Sequence, residues 1–199
     1  MKEVYFEEDY PALPIVGQKV PNIELEAYQN GKTKKIKPAD YKGKWLIMLF
    51  YPADFTFVCP TELEAAAESY DKFKKEEAEI VSISTDTVFV HKAWHDNSPS
   101  IKKIKYPMLA DPAGKMCKSL GTYLEEEGIS LRATVIVDPK GMIKSYEVHD
   151  NDIGRNIEEI LRKLQAAKFT AEHRGYACPV NWQPGERTLK LGLNLVGKI

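Results

Sequence analysis

Apolar and polar residues alternate over Asn22–Tyr28 (NIELEAY), which predicts a half-buried strand. Asn30-Gly31 follows as a hairpin turn, and Lys32–Lys37 (KTKKIK) returns alongside. Trp45–Tyr51 (WLIMLFY) is apolar without interruption, as a strand covered on both faces requires. From Thr61 to Glu77 the apolar positions Leu63, Ala66, Ala67, Tyr70 and Phe73 share one helical face. AEIVSIST (78–85) predicts a second buried strand, Val88–Asn97 a second helix and Tyr106–Ala110 a short strand. ATVIVDPKGMIKSYEV (133–148) reads as a hairpin turning at Asp138–Gly141. That turn, like Asp111–Gly114, sets Asp, Pro and Gly at the first, second and fourth positions of a type I turn. Ile157, Ile160, Leu161 and Leu164 predict a last helix over Arg155–Ala167. Strands alternating with helices and closing on a hairpin plus helix predict an α/β fold with a central mixed sheet.

The ends depart from this periodicity. The first 20 residues, with Pro11, Pro14 and Gly17, predict an irregular lead-in. Residues 169–199 carry six prolines and glycines, yet also Phe169, Tyr176, Trp182 and an apolar tail. They read as a C-terminal arm, appended to a domain over 1–168, that must bury its aromatics on the domain or on another subunit.

Composition narrows the function classes. In 199 residues, 43% hydrophobic content is enough for one core, and 28 basic against 29 acidic residues gives a net charge of −1, without the basic excess of a nucleic-acid binder. No apolar run approaches the ~18–20 residues of a membrane span. The acidic start MKEVYFEEDYPALP has no apolar stretch of the secretory type. Three cysteines, Cys59, Cys117 and Cys178, are too few and too scattered for a disulfide scaffold or a paired zinc site, so a cytoplasmic protein with reduced thiols is expected.

Cys59 carries the chemistry. It opens a helix after a buried strand and is followed by Pro60, a residue favoured at a first helical position. Unpaired N–H groups and the positive end of the helix dipole there favour a thiolate. The C-P-T-E sequence ends in Glu62, so no local dithiol forms, and an oxidised Cys59 ends as sulfenic acid or meets a thiol elsewhere. Cys117, beside Met116, Leu120 and Tyr123, reads as a packed structural thiol. His91 and His95 stand four apart on a helix, but KAW between them lacks the Glu of a zincin motif, and they read as core or solvated histidines. KFKKEE (72–77) and IKKIK (101–105) read as mixed-charge surface.

PADFTFVCPTE (52–62) resembles the active-site signature of the peroxiredoxins of the typical 2-Cys type. The resemblance continues through 83–98, 128–141 and 176–199, nearly the whole chain, and is closest to the bacterial alkyl hydroperoxide reductase branch. It implies a thioredoxin-like fold and reduction of hydrogen peroxide and organic hydroperoxides, with no metal, haem or flavin on this chain. By the resemblance, Cys59 is the peroxidatic thiol and Thr56 hydrogen-bonds peroxide and thiolate. Pro52 shields the pocket, and Arg132 stabilises thiolate and peroxide oxygen, with Glu62 and Arg155 orienting it. Cys178 matches the resolving cysteine, which bonds Cys59 of a partner subunit. Thioredoxin or a flavoprotein disulfide reductase then recycles the pair, in a homodimer that often assembles into a decamer. A peroxide-activated chaperone and a thiol sensor are the alternatives. The loop YLEEEGIS stands where peroxide-sensitive relatives carry GGLG, and the chain closes on LVGKI rather than a YF helix, so resistance to over-oxidation of Cys59 is expected.

Overall fold

The computed structural model describes residues 14–198. The lead-in reading for 1–13, and the reading of that start as no secretory signal, lie outside the described residues. Strand β1 (Leu25–Gln29) pairs antiparallel with β2 (Lys32–Ile36). Their turn has positive φ at both Asn30 (50°) and Gly31 (78°), the signature of the primed turn that matches strand twist. Then follow β3 (Trp45–Phe50), α1 (Cys59–Glu68), α2 (Tyr70–Lys75), β4 (Ala78–Ser84), α3 (Val88–Asn97), β5 (Met108–Ala110) and α4 (Lys115–Ser119). The short pair β6 (Tyr123–Leu124) and β7 (Ile129–Ser130) leads to β8 (Arg132–Val137) and β9 (Ile143–His149). Last come α5 (Ile157–Glu172), β10 (Tyr176–Ala177) and β11 (Leu189–Lys190).

One mixed seven-stranded sheet has the order β2-β1-β5-β4-β3-β8-β9, with β3, β4 and β5 parallel and the outer strands antiparallel. It is the predicted mixed α/β architecture. Along β3 and into Tyr51 the side chains divide by period two. Trp45, Ile47, Leu49 and Tyr51 enter the core beneath α1, α2 and α5, and Leu46, Met48 and Phe50 enter the core beneath α4.

Two helix readings differ from the structure. The stretch 61–77 is two helices, because α1 stops at Ser69 (φ −88°, ψ −1°) before α2 restarts at Tyr70. The last helix starts two residues later than read and runs to Glu172. Asn156 is its cap, accepting from the Glu159 N–H at 3.1 Å, and Lys168–Glu172 continue the helix past the last fully buried position, Leu164. Both D-P-x-G turns form as read, with Gly114 and Gly141 donating to Asp111 and Asp138 carbonyls at 2.8 Å.

The register places the chemistry. Phe50 pairs with Ala133 in the antiparallel β3–β8 ladder, so Arg132 lies at the end of the sheet where the chain leaves β3 for Cys59. His149 pairs with Arg132, which brings the loop after β9, with Asn151 and Arg155, to the same end.

Candidate active site

The chain between β3 and α1 is held by its own polar groups. Tyr51 donates its hydroxyl to Asp54 Oδ1 at 2.7 Å, the Asp54 backbone N–H donates to Asp86 Oδ2 at 2.8 Å, and Pro52 is buried beside them. Thr56 Oγ1 donates to the Ala53 carbonyl at 2.9 Å and closes the turn. Between them Phe55 takes φ +56°, a left-handed conformation rare for a side chain this large, and its ring lies 6.0 Å from that of Trp94. Val58 caps α1 and Cys59 is its first helical residue, so the cysteine sits one position further into the helix than a cap.

Cys59 is wholly buried, and Arg132 Nη1 donates to its Sγ at 3.2 Å. The same nitrogen donates to Glu62 Oε2 at 2.8 Å, and Arg132 Nε donates to the Asn151 carbonyl at 2.9 Å. Glu62 follows Cys59 by one helical turn and takes a second guanidinium. Arg155 gives it a backbone N–H (2.7 Å to Oε1), Nε (3.0 Å to Oε1) and Nη2 (2.9 Å to Oε2), while Nη1 holds the Ala133 carbonyl at 2.8 Å. Burial works against charge on Glu62. The hydrogen bonds and charge of Arg155, with the charge of Arg132, overcome it and hold the carboxyl below its ordinary range. Two buried guanidiniums and one carboxylate leave one unbalanced positive charge beside the sulfur. The helix, the β8 register and the loop after β9 thus bring Cys59, Glu62, Arg132 and Arg155 into one cluster, with Pro52 and Thr56 on the adjoining turn.

Cys178 lies apart from this cluster. It is half-buried against α5, with Sγ 3.9 Å from the Ala166 carbonyl, in a surface cavity also lined by Lys144, Arg162 and Lys163. Burial pushes its thiol up, and the charge of Arg162 draws it back. The arm that carries it does dock. Trp182 is buried 5.3 Å from the Phe169 ring, and its carbonyl accepts from Arg162 Nη1 at 3.1 Å. Tyr176, one of the aromatics expected to be buried, stays exposed, as do Val180, Leu191, Leu193 and Val196 of the same arm.

Cys117 is as buried as Cys59 but meets the opposite charge. Burial, then the carboxylate of Asp111, pushes its thiol up to about 12, which fits a packed structural thiol. The two histidines of α3 turn to different neighbours. His91 is fully buried with Nδ1 2.7 Å from Asp54 Oδ2, and His95 packs edge-on against Tyr28. Among the described residues no cluster of metal-ligating side chains occurs. The Asp54–His91 contact escaped sequence reasoning, since 37 positions separate its members. The one available signal was His91 at spacing three from Val88 and Trp94 on the buried face.

Comparison with known proteins bears directly on this arrangement. The AhpC/TSA family profile matches residues 16–146, and that of the C-terminal domain of 1-Cys peroxiredoxin matches 166–191, the stretch that holds Cys178. The chain is 43% identical over 187 residues to alkyl hydroperoxide reductase C of Pseudomonas aeruginosa, covering 94% of this chain and 100% of that protein. It is 44% identical to the Salmonella typhimurium protein of the same name over the same shares. Among solved structures, Enterococcus faecalis AhpC superposes with a TM-score of 0.81 at 48% identity, covering 83% of this chain and 99% of that one. A reduced 2-Cys peroxiredoxin of Plasmodium vivax superposes at 0.84 with 31% identity, covering 88% and 92%.

Proposed function

The chain belongs to the AhpC/TSA family and is a thiol-dependent peroxidase, and from that premise we propose that Cys59 is the thiol that meets the hydroperoxide. The observation that carries this is the Arg132 guanidinium 3.2 Å from a buried sulfur, within a cluster that holds one positive charge in excess. A thiolate balances that charge. Its attack on the outer oxygen forms the S–O bond and breaks the O–O bond. The departing alkoxide or hydroxide takes up a proton and leaves as alcohol or water, with Cys59 left as sulfenic acid.

Of the five N–H groups of Arg132, three are engaged by Cys59, Glu62 and the Asn151 carbonyl. The two on Nη2 have no partner among the described residues and are the donors for the oxygen on which charge grows. Thr56 commits its proton to Ala53, so its oxygen acts as acceptor for the hydroperoxide O–H. Buried Pro52, which has no N–H, keeps water from the sulfur. Glu62 and Arg155 hold the Arg132 guanidinium in place.

Cys178 is the proposed resolving thiol. Its sulfur attacks the sulfenic sulfur of the partner subunit's Cys59, forming a disulfide and releasing water. An external dithiol, thioredoxin or a flavoprotein disulfide reductase, then supplies two electrons and two protons. A disulfide needs Cα atoms within about 7 Å, so the first turn of α1 must unwind to bring the wholly buried Cys59 out.

A homodimer, assembled further into a decamer, suits the surfaces. The outer edge of β9 beyond Ile143 has no partner strand among the described residues. Phe57 (92% exposed), Phe89 (78%) and Phe55 (57%) supply apolar area for a second contact. We assign residues 1–168 to the peroxidase domain and 169–199 to the arm, the first four residues of which complete α5. Three sparse, scattered cysteines suit a reducing cytoplasm. Neither the chaperone nor the sensor reading draws support from a feature of the site.

The test is one equivalent of hydrogen peroxide on reduced protein, then thiol blocking and non-reducing electrophoresis with peptide mapping. The expected product is a dimer linked Cys59–Cys178, absent from Cys59→Ser and from Cys178→Ser. A chain that stays monomeric, with Cys59 as sulfenate or sulfinate, removes Cys178 from the cycle.

A further inference from the structure

The Tyr51–Asp54–His91 group lies outside the reacting atoms, yet it sits at the root of the segment that carries them. All three side chains are buried and tie three elements together. Tyr51 ends the β3 run, Asp54 lies in the loop that leads to Cys59, and His91 projects inward from α3. His91 Nδ1 is 2.7 Å from Asp54 Oδ2, and its Nε2 is 3.1 Å from the Leu109 carbonyl on β5. Asp54 Oδ1 takes the Tyr51 hydroxyl at 2.7 Å, and its backbone N–H goes to Asp86, which is itself held by Ser84 Oγ at 2.7 Å.

Both ring nitrogens of His91 therefore face oxygens. Either His91 donates from both, or Asp54 carries the proton and donates it to Nδ1 while Nε2 donates to Leu109. In each case one proton stays between carboxyl and ring, and Asp54 is bound on every side by groups from β3, α3 and the loop at Asp86. Burial raises the Asp54 carboxyl, and the hydrogen bond and charge of His91 draw it back. The grip ends abruptly. The next residue, Phe55, is left-handed and exposed, and Phe57 is almost fully exposed.

We propose that His91 is a positioning residue for peroxide reduction: through its bond to Asp54 it fixes the base of the 52–56 turn, so that Pro52 and Thr56 keep their place over Cys59. This rests on Cys59 as the peroxide-reacting thiol. The Asp54 end of the segment is the fixed post, and Phe55 is the point beyond which the chain unwinds when Cys59 leaves its pocket. His91 acts through Asp54 and touches no substrate.

Two substitutions separate this role from plain core packing. In His91→Asn the side-chain amide nitrogen falls where Nδ1 was, keeping the donor to Asp54 and losing the one to Leu109. In His91→Gln it falls where Nε2 was, keeping Leu109 and losing Asp54. Two rates are read for each variant: Cys59 oxidation by hydrogen peroxide in rapid mixing, and Cys59 alkylation by iodoacetamide, which needs a reactive thiol but no peroxide pocket. The expected result is a peroxide rate about tenfold lower in His91→Gln, the scale of one buried polar group left without its partner. His91→Asn should stay within about threefold of wild type, and alkylation should be unchanged in both.

Equal peroxide rates in the two variants, or peroxide and alkylation rates falling together, would overturn the proposal. Should neither variant fold, Tyr51→Phe removes only the hydroxyl that grips Asp54 Oδ1. It should lower the peroxide rate but not the alkylation rate, and no change in either would equally overturn the proposal. Cys59→Ser, run alongside, keeps the two readings apart. Peroxide consumption that persists in it defeats the assignment of Cys59, whereas its loss together with equal His91 variants defeats only the positioning role.

Discussion

Cys59 and Cys117 are both wholly buried, and both lie in the first turn of a helix, yet their surroundings carry opposite signs. Arg132 stands against Cys59, and Asp111 against Cys117, where it accepts the Met116 and Cys117 backbone N–H groups at 2.9 Å. Burial pushes the Cys117 thiol up, and the Asp111 carboxylate adds to it. On the proposed reading of Cys59, the charge of the neighbour, and not accessibility, selects the sulfur that reacts.

The sharpest way to break this contrast is Arg132→Met, which removes the positive neighbour and leaves the burial. The rate of Cys59 oxidation by peroxide should fall about 10²–10³-fold, as for loss of a preorganised oxyanion donor. Stopped-flow mixing measures it, and a fall of less than threefold would return the weight to burial and the helix end. Next in size is Glu62→Ala, which strands two guanidiniums that are 3% and 1% exposed. A loss of about 3–5 kcal/mol in chemical denaturation is expected.

The same carboxyl sets a pH dependence. Its folded-state value lies below the ordinary 4.5, so ionised Glu62 adds stability above that pH, and the gain is lost as pH falls through the folded value. Glu62→Gln should flatten the acid limb of the stability–pH curve, and an unchanged acid limb would assign it to other carboxylates. The smallest effect belongs to Cys117→Ser. Peroxide turnover should match wild type, with stability within about 1 kcal/mol of it, since the side chains of Asp111, Ser130 and Thr122 stand ready to pair with a hydroxyl there. A turnover defect without loss of stability would give Cys117 a part in the cycle.

Legibility followed distance along the chain. WLIMLFY, AEIVSIST and Val88–Asn97 each announce their element through local pattern, and β3, β4 and α3 form there. Ser69 breaks a helix whose apolar face continues without a gap, so periodicity could not place the stop. Cys59 can be read from its place at a helix start, and Pro52, Thr56 and Glu62 lie in the same stretch, where the resemblance supplies their roles. Arg132 and Arg155 join them only because an antiparallel register folds β8 and β9 back to the end of β3, and nothing local to either arginine says so. In the sequence they were reached by resemblance. Asp54 and His91 were reached by neither route, since each is unremarkable until the loop and α3 meet.

The two borders of the sheet differ in kind. On β2 the run Lys32-Thr33-Lys34-Lys35 lies exposed along the strand, while β9 mixes Lys144 and Glu147 with Tyr146 and Val148. If two chains join their sheets across β9 about a two-fold axis, a lysine-bearing β2 border faces outward at either extremity. Like charges then meet any further sheet that approaches, so growth by strand addition terminates at the pair and cannot run on into a fibre.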